Sequence, residues 1–101
     1  MRALPLFNLK PGKTIENYKK WSSAEVHPRM LRMPSVIAFK DYEVTGAMNG
    51  VVVPYQLVEE IEITDPEVFG RDNAVDDGAV LAKEWQSWVG SFVVIYCQEN
   101  L

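Results

Sequence analysis

Apolar and polar positions along the chain follow two different periods, and the switches between them mark the elements. Residues 2–8, Arg-Ala-Leu-Pro-Leu-Phe-Asn, are short and apolar and stop at Lys10-Pro11-Gly12. That predicts a strand followed by a turn. Pro5 cannot donate to a ladder, so this strand is expected at an edge or with its pairing broken there. From Thr14 the period becomes helical: Ile15, Tyr18, Trp21 and Ala24/Glu25 recur on one face, with Lys19, Lys20 and Ser23 between them. Thr14 is a good N-cap and Glu16 suits the first turn. Pro28 disfavours helical geometry at the preceding residue, so the helix is expected to end before it, leaving His27 to Met33 as a loop.

Alternation returns over residues 34–45, a second strand with Val36, Ala38, Tyr42 and Val44 on one face and Ile37, Phe39, Asp41 and Glu43 on the other. Gly46 to Gly50 reads as a loop, and residues 54–63 as a third strand with many charges. Asp65-Pro66-Glu67 opens a short helix expected to stop at Gly70. Asp76 or Asp77 opens another, with Leu81, Trp85 and Trp88 as its apolar stripe and Gly90 as its stop. Residues 91–98 are nearly all apolar and predict a central strand buried on both faces. The order is β-α-β-β-α-β, the split ferredoxin-like pattern: a four-stranded antiparallel sheet with helices on one face, an α+β fold. A doubly buried strand in so small a chain needs a cover for the second face. A second copy of the chain, sheet against sheet, supplies one.

Composition narrows the function classes. A chain of 101 residues makes one domain, spanning 1–101. With 10 basic and 14 acidic side chains the net charge is −4, so no basic field exists to bind nucleic acid. Cys97 and His27 each occur alone, which removes disulfides and any multi-histidine or multi-cysteine metal site within one chain. No apolar run approaches the ~20 residues needed to span a bilayer, and the first residues do not read as a signal peptide. The expectation is a cytoplasmic domain in a reducing compartment, with no membrane or nucleic-acid partner and neither metal nor cofactor.

Three segments together carry a resemblance: Leu6-Phe7-Asn8-Leu9-Lys10-Pro11-Gly12, then Tyr18-x-x-Trp21, then Pro34-Ser35-Val36-x-x-Phe39. In these, and in length and element order, the chain resembles the RedY/HapK-like family, small proteins of prodigiosin-type and carbazole-type pigment pathways. The resemblance implies the dimeric α/β-barrel form of the ferredoxin-like fold and a pathway context. It implies a reaction less firmly, since some members are similar to cyclases that close a ring on an unstable intermediate. The wider superfamily includes cofactor-free monooxygenases and polyketide cyclases.

Candidate chemistry is sparse. His27 is the one side chain whose ordinary titration lies near neutrality. It is either a general acid/base at the mouth of the cleft that the resemblance implies, or a solvated residue at a helix C-terminus. Asn8, at the end of the first strand, either holds a carbonyl or enolate oxygen or caps a turn. Tyr18 and Trp21 share a helix face and either line a pocket for a flat ligand or pack on the sheet. Asp41, Glu43, Glu59 and Glu60 lie on neighbouring strands. Facing carboxylates would form an acid/base dyad; otherwise these are the wet edges of an acidic sheet, and spacing alone leaves the register open. Asp76-Asp77-Gly78 reads as a helix N-cap, since no calcium-loop series follows. No phosphate loop or nucleophile elbow is present.

The expected function is that of a small cofactor-free enzyme, cyclase-like or accessory, acting on an aromatic or pyrrole-like intermediate. His27 would be catalytic, with Asn8, Tyr18 and Trp21 holding the substrate. The alternatives are a non-catalytic carrier dimer that shields such an intermediate, or a cofactor-free monooxygenase.

Overall fold

The computed structural model describes residues 1–100. Strand β1 covers Arg2–Leu9, helix α1 Ile15–Trp21, a π-helical turn Ser22–Val26, helix α2 His27–Met30 and strand β2 Val36–Glu43. A 3₁₀ turn at Met48–Gly50 precedes strand β3 at Leu57–Ile63, helix α3 at Pro66–Asp72, helix α4 at Asp76–Trp88 and strand β4 at Val89–Cys97. Among the described residues the strands form one antiparallel sheet in the order β2-β3-β1-β4. This is the ferredoxin-like sheet expected from the element order, and the helices cover one of its faces.

The local signals act where expected at two helix starts. The Thr14 hydroxyl accepts from the Asn17 amide at 3.2 Å, and the Asp65 carboxylate accepts from the amides of Glu67 and Val68, with Pro66 at the first helical position. At α4 no side chain caps the helix. Asp76 instead takes a left-handed φ of 49°, and Asp77 turns to the Arg29 guanidinium. Helix α3 runs through Gly70 to Asp72, and Gly90 lies inside β4 rather than ending α4. Strand β3 begins at Leu57, three residues later than residue 54.

The helical path does not stop before Pro28. Val26 and His27 both have right-handed helical dihedrals, and the His27 amide bonds back to the Ser22 carbonyl, five residues earlier. A regular turn would drive the Pro28 ring into the carbonyl of Ala24. The wider π turn relieves that clash and carries the helix on to Met30. His27 is therefore a helical residue, not a loop residue.

Strand placement also differs from the sequence pattern. β1, with Pro5, is central; β4, the most apolar strand, is an edge. Pairing of β1 with β4 is continuous past Pro5, while pairing with β3 is interrupted between Ala3–Ile61 and Leu6–Val58. The missing amide is absorbed by that gap. Along β4 only Val89 is buried, and Phe92 and Tyr96 are each about half exposed. A bulge between Val36 and Ala38 shifts β2, so that Val36 and Phe39 both join the core while Ile37 is exposed.

The core has two connected parts. One gathers Ala3, Val26, Met30, Phe39, Ile61, Phe69 and Leu81; the other gathers Phe7, Tyr18, Leu57 and Val89. Arg29 ties α2 to α4 through Asp77 and Glu84, and these carboxylates hold its guanidinium well above its ordinary pKa. The uncovered face of the sheet carries Leu4 and Leu6 opposite Ile95 and Val93, with Val58 and Tyr42 alongside. Arg2, Lys40, Glu60 and Glu62 surround this apolar strip.

Candidate functional site

On the helix-covered side, α2, α3 and α4 stand off the sheet and leave a cleft of about 280 Å³. Its floor is Pro5, Glu59 and Ile61 from β1 and β3, and the edge strand contributes Phe92, Val94 and Tyr96. Met30, Phe69, Leu81 and Trp85 close it from the helices, with Asn73 and Gln86 adding polar edges. The spacing of the strands explains the wall: alternate residues of β4 face the same way, so every second apolar side chain points into the cleft.

Glu59 is the carboxyl in this mostly apolar lining. It alternates with Leu57, Ile61 and Ile63, the buried positions of β3, and is itself only 4% exposed. Its Oε2 accepts a hydrogen bond from the Tyr18 hydroxyl at 3.2 Å, and that hydroxyl accepts from the Trp85 indole N–H at 3.1 Å. Burial pushes the Glu59 carboxyl up to about 8; the Tyr18 bond opposes this, and the charge of Asp41 adds to it. Burial and the adjacent carboxylate push the Tyr18 phenol far above its ordinary value, so it keeps its proton and remains a donor. Edge-on contacts of Phe7 with Tyr18 and Trp85, at 5.6 and 5.0 Å between ring centres, hold both rings in place.

The register settles which carboxylates meet. Asp41 stands directly opposite Glu59, and Lys40 opposite Glu60. Asp41 accepts from the Ser22 hydroxyl at 2.7 Å, and its other oxygen lies 3.0 Å from His27 Nε2. Glu43 pairs with Lys19 and Glu60 with Arg2, both at the exposed margin of the sheet. Two of the four carboxylates thus form a facing pair under the helices, and the other two are surface groups.

None of the four residues singled out from the sequence lines the cleft. Tyr18 is closest to it, one hydrogen bond behind Glu59. His27 faces Asp41 and rests edge-on against Phe39 at 4.7 Å. Trp21 stacks on Trp88 at 5.4 Å and packs beside Tyr18. Asn8 donates to the Pro54 carbonyl and the Ser91 hydroxyl and accepts from the Gln56 amide, so it fastens the β2–β3 connection to β4. Glu59 itself was legible only as one of four carboxylates. Its signal is a single acid in the stripe Leu57, Glu59, Ile61, Ile63. Among the described residues no group of three or more His, Cys, Asp and Glu could hold a metal ion, and no helix is long and apolar enough to cross a membrane.

Solved structures share this architecture. A protein of Arabidopsis thaliana, At3g17210, superposes with a TM-score of 0.81 at 15% identity, covering 99% of this chain and 96% of that one. HapK from Hahella chejuensis gives 0.74 at 19% identity, covering 99% and 95%. SnoaB from Streptomyces nogalater, a cofactor-independent oxygenase, gives 0.69 at 12% identity, covering 99% and 94%. At these identities the likeness establishes the fold. No curated protein matches the chain. The family model of the REDY-like protein HapK matches residues 1–100, and the chain therefore belongs to the HapK family of REDY-like proteins.

Proposed function

We propose that this protein is a cofactor-independent biosynthetic enzyme that moves a proton on a flat, mostly apolar intermediate bound in the cleft. The observation that carries this reading is Glu59: a buried carboxyl in an apolar wall, gripped by Tyr18 and poised to titrate about 8. Such a group is protonated near neutrality and readily gives its proton up, which suits a general acid/base. In a ring closure the neutral carboxyl lends its proton to a carbonyl oxygen as the new bond forms. The carboxylate then takes the proton that the ring carbon releases, and Glu59 returns to its starting state. The aromatic walls suit an aromatic or pyrrole-like intermediate of a pigment-type pathway. Tyr18 acts here behind Glu59 rather than on the ligand, and His27 lies outside the cleft lining.

The working form in this reading is a homodimer. The strip of Leu4, Leu6, Val58, Val93 and Ile95 is apolar, and its margin carries both signs of charge, Arg2 and Lys40 beside Glu60 and Glu62. A two-fold partner can match that surface to itself.

A second reading is a carrier that shields the same intermediate, favoured by how little of the lining is polar. Incubating the purified protein with candidate intermediates and following product formation separates the two. As an enzyme, Glu59→Gln should keep ligand binding and lose 10²- to 10⁴-fold in turnover. Binding without turnover in the unaltered protein would favour the carrier.

A further inference from the structure

Between the sheet and the path of the π turn and α2 lies a second polar cluster that the cleft chemistry leaves unused: His27, Ser22 and Asp41, ranged against Glu59. We propose that Asp41, held by His27 and Ser22 opposite Glu59, is a positioning group that helps Glu59 keep its proton. The inference rests on Glu59 being the acid/base of the cleft.

The geometry is specific. Asp41 and Glu59 are direct register partners on adjacent antiparallel strands, and both are turned under the helices. Directly opposed side chains have Cβ atoms about 4.5–5.5 Å apart. A charge on Asp41 therefore opposes a charge on Glu59. Asp41 cannot easily turn away, because Ser22 holds one of its oxygens and His27 the other. The cation nearest in chain, Lys40, is on the opposite face beside Glu60, and Lys19 is taken by Glu43. That leaves the imidazole and the Ser22 hydroxyl as the groups that hold the Asp41 carboxylate in place. Around Glu59 the remaining elements add no further charge: α1 offers the Tyr18 phenol, α3 Phe69 and Asn73, α4 Trp85, β1 Pro5, and β4 the Tyr96 phenol. Arg29, on α2, is committed to Asp77, Glu84 and Glu25.

The π turn makes this arrangement. It places Ser22 at its start and carries His27 just past its end, so that both reach the same carboxylate from one helical path. The relation is that of a positioning residue acting through Asp41, with the imidazole never touching the ligand.

The test reads Glu59 directly and needs no substrate. The carboxyl stretch of the protonated acid is followed by infrared difference spectroscopy across pH 5 to 10 in the intact protein, with Glu59→Gln identifying the band. Asp41→Asn, close in size to the original, should lower the Glu59 midpoint by roughly one unit, a tenfold fall in proton affinity. His27→Ala frees one oxygen of Asp41 to turn away from Glu59, and should lower the midpoint by a smaller amount. In the double variant the His27 substitution should have no further effect, since no Asp41 charge remains for it to hold in place. An unchanged midpoint in Asp41→Asn overturns the proposal, as does an equal His27 effect with and without Asp41. Failure of Glu59→Gln to slow turnover would instead remove the catalytic reading while leaving these titrations intact.

Discussion

Burying a carboxyl in an apolar wall costs free energy chiefly when it is ionised, so Glu59 keeps its proton to a pH far above the ordinary 4.5. That difference is also a statement about stability. The folded state holds this proton more tightly than the unfolded chain, so the Glu59 contribution is fully present below about pH 4.5 and is lost as pH rises toward 8. Across that window the contribution of this one group declines by up to about 1.4 kcal/mol per pH unit. Glu59→Gln cannot titrate, and thermal melts between pH 5 and 8 should show its stability as the flatter of the two. Asn8 gives a contrasting prediction. Each polar atom of its side chain is bonded within the fold, so Asn8→Ala should lower stability by about 1–3 kcal/mol. Calorimetry together with a binding titration should find ligand affinity unchanged. A loss of affinity without a loss of stability would return Asn8 to the ligand site.

Among the elements, those with local signals were legible and those set by long-range context were not. Thr14 and Asp65-Pro66 mark helix starts because the cap lies within three residues of its partner. Pro28 misled because its penalty assumes a regular helix, and the π turn removes the clash. β4 misled because an apolar strand at the edge of one chain has the same composition as a strand in the middle of a sheet. Pro5 left two readings open, an edge strand or a broken pairing, and the gap on the β3 side shows the second, with β1 seated centrally. The Asp41–Glu59 pair was one of two open readings, and the bulge in β2 helps set the register that decides it. Spacing in the sequence does not reveal a bulge. The α3–α4 junction yields its own prediction. Gly78 is buried, and a methyl group there would run into the Asp72 carbonyl oxygen and press on Met33. Backbone cannot rotate aside as a side chain can, so Gly78→Ala should destabilise by about 1–3 kcal/mol or more, despite the better helix propensity of alanine. Chemical denaturation will measure it.

For the whole molecule, the uncovered sheet face and the cleft lie on opposite sides of one layer. That separation makes the proposed dimer testable without disturbing the chemistry. Ile95 belongs to the uncovered strip and Val94 to the cleft wall. Ile95→Glu should shift the protein to monomers in light scattering while leaving the monomer folded. Val94→Glu should leave assembly intact and impair ligand binding. If Ile95→Glu remained as associated as the unaltered protein, that face would not be the seam.

The same alternation along β4 has a consequence for the energetics of the assembled protein. One strand, anchored in the sheet through β1 alone, is a wall on one side and the proposed seam on the other. Any ligand that stiffens Phe92, Val94 and Tyr96 lowers the entropy still to be lost when Val93 and Ile95 meet a partner. By thermodynamic reciprocity, dimer formation then tightens the ligand by the same factor. Occupancy and self-association become two ends of one linkage, and a protein of this design would bind its intermediate most tightly at the concentrations that favour its dimer.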